Sequence, residues 1–310
     1  MNPRRIILLG ATGFIGRELV RVLSTEGFKL VAVSRNPDRV RSLLGERVVP
    51  AGWDGRTSEG WKHHADGAWA LVNLAGESLS SGRWTEKKRE SILRSRVAAG
   101  WAIVEAVKAA RTKPRVIIQS SAVGYYGSRG KEVLDEASAP GLGFLSDVVR
   151  AWEESTRDVE SLGVRRVVIR SGVVLGRDGG ALPPMAMPFR FFVGGPLAGG
   201  RQWFSWIHLE DEVRAILFLL ENEKAVGVYN LVSPFPVRQR LLAKAIGHAL
   251  RRPSFFPMPS FLLQLLFGEK AGETILVDQR VIPARLDEEG FTFAFPDVGQ
   301  ALNNIFARRR

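Results

Sequence analysis

Three glycines spaced three apart, Gly10, Gly13 and Gly16, open the chemistry of this chain. They follow the apolar run 6–9 and precede a helical pattern, which reads as strand, tight turn, helix. In that reading Gly10 allows the turn, Gly13 lets backbone approach a pyrophosphate, and Gly16 lets helix and strand pack closely. Thr12, Phe14 and Ile15 belong to the same turn, and the new helix aims free N–H groups and its dipole at an anion. Such turns also occur with nothing bound, and the spacing is G-x-x-G-x-x-G rather than G-x-G-x-x-G, so a second feature has to decide. The next apolar run, 29–33, ends at Ser34-Arg35. An acid there would accept from the ribose hydroxyl of NAD, whereas an arginine suits the extra phosphate of NADP. The acid is absent, so Ser34 and Arg35 point to NADP(H), with a surface arginine at a strand end as the plain alternative.

The strands that must position this chemistry follow at regular intervals. The run 68–72 ends in Asn73-Leu74-Ala75-Gly76, small residues that would lie beside the first turn in a doubly wound sheet. Glu77 follows directly as a candidate substrate-facing acid, and Trp53-Asp54 falls near an adenine-edge contact. A long helix opens at 81–85 with Thr85 as its cap; its expected apolar face is Ile92, Val97, Trp101, Val104 and Val107. The run 115–122 reaches Ser120 and Ser121, where a hydroxyl would sit near a nicotinamide. A later strand, 164–171, ends at Gly172, whose backbone is a candidate contact to the nicotinamide amide. Glycines and aromatics at 194–203 read as a substrate-closing loop or an ordinary connection.

Composition narrows the classes. The chain has 310 residues and no cysteine, which removes disulfides, thiolate nucleophiles and sulfur-ligated metals. Four scattered histidines make a metal site unexpected. The net charge of +12 is spread along the chain rather than gathered into an aromatic-interleaved patch, which argues against nucleic acid and for an anionic small molecule. No apolar run has the length of a membrane span, and the basic, apolar start runs into the glycine turn rather than a cleavage site. The expectation is therefore a cytoplasmic protein with a small-molecule substrate and no membrane partner, ending in a solvated Arg308–Arg310 tail.

The glycine turn, Asn73-Leu74-Ala75-Gly76 and Ser120-Ser121-Ala122-Val123-Gly124-Tyr125 together resemble the extended short-chain dehydrogenases/reductases. Gly76-Glu77 with Arg83-Trp84-Thr85, the turn Tyr125-Tyr126-Gly127, and the segment 202–208 are similar to the "epimerase family" branch that includes SDR family 39U. The resemblance covers nearly the whole chain. It implies an α/β Rossmann fold, a doubly wound parallel sheet with a smaller C-terminal substrate lobe, and NADP(H) as cofactor. The expected division is 1–174 as the cofactor core, rejoined by about 204–232, with 175–310 as lobe and C-terminal module. The family's Tyr-x-x-x-Lys pair would fall at Leu145 and Val149, and the chain's tyrosines are only Tyr125, Tyr126 and Tyr229. Two readings follow. Either the acid–base work moves to Tyr125, Tyr126 or Glu77 with Ser121 orienting the substrate oxygen, or the fold binds NADPH as a sensor without chemistry. His208, in the segment that returns the chain to the core, is expected to be structural.

Overall fold

The computed structural model describes residues 4–80 and 82–307. Ser81, at the expected opening of the long helix, and the terminal arginines lie outside the described residues. Seven strands form one sheet: β1 (Arg5–Leu9), β2 (Lys29–Ser34), β3 (Val48–Gly52), β4 (Ala70–Asn73), β5 (Val116–Ala122), β6 (Arg165–Ser171) and β7 (Gly227–Leu231). Their order is β7-β6-β5-β4-β1-β2-β3, and every neighbouring pair is parallel. Both faces of the central strands are covered, which is why 6–9 is a continuous apolar run rather than an alternating one. The winding reverses between β1 and β4, so the crevice beyond their carboxyl ends is the place for a ligand.

Helices α1 (Phe14–Thr25) and α2 (Pro37–Leu44) bury their apolar stripes on one face of the sheet. On the other face lies α3 (Glu86–Ala109), capped by the Thr85 hydroxyl as expected, with α4 (Phe144–Glu154) packed against α3 and β5. Ile92, Val104 and Val107 are buried on α3 as expected and Val97 half-buried, but Trp101 is not. Ala98, Ala99, Gly100, Ala102 and Ala106 turn inward with Ile103 and Val107, while Trp101 is 62 % exposed. Close approach explains this: a Cβ on Gly100 would overlap Ser155 at the end of α4, so this face has no room for an indole.

The chain then leaves the sheet for a lobe. There α5 (Leu182–Arg190), preceded by the strand pairing Val173–Leu175 with Trp206–His208, begins a separate apolar core. Helix α6 (Leu209–Glu221) returns to the α1 face and delivers β7. Helices α7 (Gln239–Leu250) and α10 (Val298–Phe306) complete the lobe core; α8 (Ser260–Phe267) and α9 (Ala284–Glu288) lie between them. His208 caps α6, its Nδ1 accepting from the Glu210 N–H at 3.1 Å, and burial pulls its pKa down; its role is structural, as expected.

Candidate functional site

The first turn is held by backbone contacts only glycine permits. Gly10 has φ +84, and a Cβ there would lie 2.6 Å from the Leu74 carbonyl oxygen. A Cβ at Gly16 would collide with the Gly10 carbonyl, so helix and strand meet as the spacing implied. Gly13 caps α1, its N–H donating to Gly10 at 3.0 Å, and no side chain caps the helix start. The opening amides of α1 thus face outward as donors for an anion. The Phe14 and Ile15 side chains are used inside the protein. The Phe14 ring is bedded between Gly176, Gly179 and Gly180, and Ile15 packs on the α1-side core.

At the end of β2 the Ser34 hydroxyl accepts from the Asn36 N–H, shaping the turn into α2. Arg35 is exposed and makes no hydrogen bond or ion pair with a described residue. Asp54 is used locally. Its carboxylate accepts from the Arg56 and Thr57 amides at 2.7 Å each, and these bonds lower its pKa; it fixes its own loop rather than reaching an adenine.

Asn73, fully buried at the end of β4, donates to Gln119 Oε1 at 2.9 Å and accepts from the Ala75 N–H, which shapes the turn. Arg96, on α3, secures the next residues by donating to the Glu77 and Ile92 carbonyls at 3.1 Å each. It lies under Gly76, where a Cβ would come 3.1 Å from the guanidinium carbon, and over the Trp152 ring. Burial pushes its pKa down to about 10 against the opposing charge of Glu77. The Glu77 carboxylate meets Lys88 Nζ at 2.6 Å, and that bond holds its pKa below the usual range. Glu77 is therefore a carboxylate at neutral pH, an acceptor without a proton to give.

Beyond β5 the polar groups satisfy one another. Ser121, buried, donates to Glu153 Oε1 at 2.5 Å rather than toward the crevice. Glu153 on α4 takes a two-pronged ion pair from Arg170 on β6, at 2.8 and 2.9 Å. Arg170 also donates to the Tyr126 hydroxyl at 3.1 Å, which donates to Asn230 Oδ1 at 2.8 Å. Burial lowers the Arg170 pKa, but the bond and charge of Glu153 outweigh it and the pKa is raised. Tyr126, a candidate proton shuttle from the sequence, has no exposed surface, and burial pushes its phenol up to about 12. Tyr125 differs. It is half-buried, Arg170 lies 3.3 Å over its ring, and its hydroxyl has no partner among the described residues. On α4, Leu145 and Val149 face Gly124, filling with hydrocarbon the positions where the resemblance sought a tyrosine and a lysine.

Ser120, also buried, offers its carbonyl to Gln119 Nε2. Gly172 nests against the Ser205 carbonyl and Val232, either of which a Cβ would meet at 2.9 Å. Beside it Ser171 donates to Glu212 Oε1 at 2.6 Å. Glu212 is wholly buried on α6, its second oxygen unpartnered, and burial raises its pKa to about 8. Sequence reasoning missed Arg96, Glu153, Arg170 and Glu212. Arg170 follows the apolar run 167–169 directly, a signal that a charge there is buried. Among the described residues no acidic or histidine cluster is placed to hold a metal, and no helix is long and apolar enough to cross a membrane.

Comparison with known proteins agrees with this geometry. A model of the NAD dependent epimerase/dehydratase family matches residues 6–144, and a domain of unknown function (DUF1731) matches 258–305. The chain is 39 % identical over 302 residues to the chloroplastic epimerase family protein SDR39U1 homolog of Arabidopsis thaliana, covering 97 % of this chain and 86 % of that protein. It belongs to the SDR39U1 epimerase family, within the extended short-chain dehydrogenases/reductases. A bacterial member, YfhF of Bacillus subtilis, is 36 % identical across 98 % of this chain and 99 % of its own. The human member of the SDR39U1 family, solved with NADPH, superposes with a TM-score of 0.87 at 34 % identity, covering 97 % of this chain and 99 % of that one.

Proposed function

We propose that this protein is an NADP(H)-dependent oxidoreductase or epimerase that acts on a small polar substrate without a Tyr-x-x-x-Lys dyad. The observation that carries the reading is the open donor set at the start of α1, one strand from an unpartnered Arg35. These residues fit a dinucleotide, and the NADPH in the human relative supports the choice. The amides of Phe14 and Ile15 would hold the diphosphate, and Ser34 with Arg35 the ribose phosphate. The turn 74–76 leaves room for close approach. When bound, the nicotinamide supplies hydride exchange at its C4. The division at about residue 174, with 204–232 in the core and the rest of 175–310 over the substrate, is the arrangement this reading uses.

Tyr125 is the hydroxyl best placed to exchange a proton with a substrate, since it is accessible and uncommitted. Glu77 would accept a hydrogen bond from the substrate. Ser121 would orient a substrate oxygen only by leaving Glu153. A second reading, an NADPH-binding sensor without chemistry, is favoured by the hydrocarbon of Leu145 and Val149 beside Gly124. NADPH deuterated at C4, incubated with the protein and a cell metabolite extract, separates the two. The enzyme reading expects label in a metabolite, and loss of that transfer in Tyr125→Phe at unchanged NADPH affinity. Binding without transfer assigns the sensor.

A further inference from the structure

We propose that the lobe docks onto an anionic lipid surface through an apolar face built by α8 and two adjoining segments. Between residues 260 and 266, α8 buries only Leu263; Phe261 and Leu265 are 65 % and 69 % exposed. The chain entering α8 runs alongside the loop that follows α5. The Phe256 N–H donates to the Gly194 carbonyl at 3.2 Å, Met258 N–H to Pro196 at 3.0 Å, and Ala198 N–H to Met258 at 2.8 Å. This pairing sets the exposed Phe255 and Phe256 beside the exposed Phe191, Phe192 and Val193. Phe192 has φ +64, a strained conformation for a bulky residue, and even so leaves its ring half outside the protein. Exposed hydrocarbon gathered on adjoining segments in this way marks an interaction face.

Charge chooses the occupant. Segments 179–209 and 224–268, which contain the whole face, hold eight lysines and arginines and no aspartate or glutamate. The Arg252 guanidinium lies 4.4 Å over the Phe192 ring, at the edge of the hydrocarbon. A second copy would bring the same cations face to face, whereas anionic headgroups neutralise them while acyl chains take the phenylalanines. The absence of a membrane-length apolar run argues against spanning, not against this surface attachment.

Vesicle flotation tests the proposal, with phosphatidylcholine alone and with equal parts phosphatidylcholine and phosphatidylglycerol. The protein should float with the mixed vesicles and stay behind with phosphatidylcholine alone. Phe191→Ser/Phe192→Ser, Phe261→Ser/Leu265→Ser and Arg251→Glu/Arg252→Glu should each lower the bound fraction about tenfold. Circular dichroism and thermal melting check that each variant is folded, and the charge variant leaves the apolar packing untouched. Failure of the parent protein to float with mixed vesicles overturns the proposal, as does flotation unaffected by folded variants. A dimer in light scattering that the serine variants dissociate overturns it too, by giving the face to a second copy.

Discussion

The carboxyl ends of β1 and β5 treat their polar groups in opposite ways. Past β1 the amides that open α1 have no side-chain cap, and Arg35, beyond neighbouring β2, makes no hydrogen bond or ion pair with a described residue. Past β5 the chain of Ser121, Glu153, Arg170, Tyr126 and Asn230 closes on itself in the protein interior. The first region leaves donors open to solvent or a ligand, and the second is satisfied within the protein. Buried polar groups that are mutually satisfied rigidify a scaffold, while donors left open on a rigid turn recognise something. The β5 end is thus a frame on which Tyr125 stands, and the β1 end is where the proposed function places the dinucleotide.

The sharpest way to break this contrast is to remove the cation from the frame. Arg170→Met leaves Glu153 buried and unpaired and should cost about 3–5 kcal/mol in urea unfolding. NADPH affinity of the folded variant should stay within about twofold; a large loss of affinity with little loss of stability would reverse the two roles. Glu212 offers a smaller effect with a defined sign. Its folded pKa, about 8, lies above the ordinary 4.5, so the unfolded chain releases the proton first. Stability contributed by the neutral form is fully present below about pH 4.5 and is lost as pH rises toward about 8. Glu212→Gln should remove that slope and raise the melting temperature at pH 8 by a few degrees; an unchanged pH profile would mean that Glu212 is not held neutral. Tyr126→Phe is the mildest change. It removes one buried hydroxyl and should cost about 1 kcal/mol, with label transfer from NADPH retained. Loss of transfer without loss of stability would make Tyr126 the proton shuttle.

The sequence displays the two regions unequally. Gly10 and Gly16 are legible because only backbone can occupy the space beside them, and that demand shows as a residue type at a fixed spacing. The doubly wound sheet is legible because central parallel strands are apolar on both faces. The frame is not. Glu153 and Arg170 are 17 positions apart on different elements, and nothing in the sequence says that they pair. Tyr125 and Tyr126 are adjacent and chemically equal, yet one keeps a free hydroxyl and the other is buried, a difference created only by the fold around Asn230. Trp101, expected on the apolar face, is exposed because α3 packs closely through alanine and glycine.

The central claim is that the amides opening α1 and the guanidinium of Arg35 recognise a dinucleotide carrying a ribose phosphate. Calorimetric titration of the parent protein and of Arg35→Asp with NADPH and NADH tests it directly. The parent should bind NADPH more tightly than NADH, and Arg35→Asp should lose about a hundredfold for NADPH alone. No heat with either nucleotide, or an NADPH affinity that Arg35→Asp leaves unchanged, would contradict it.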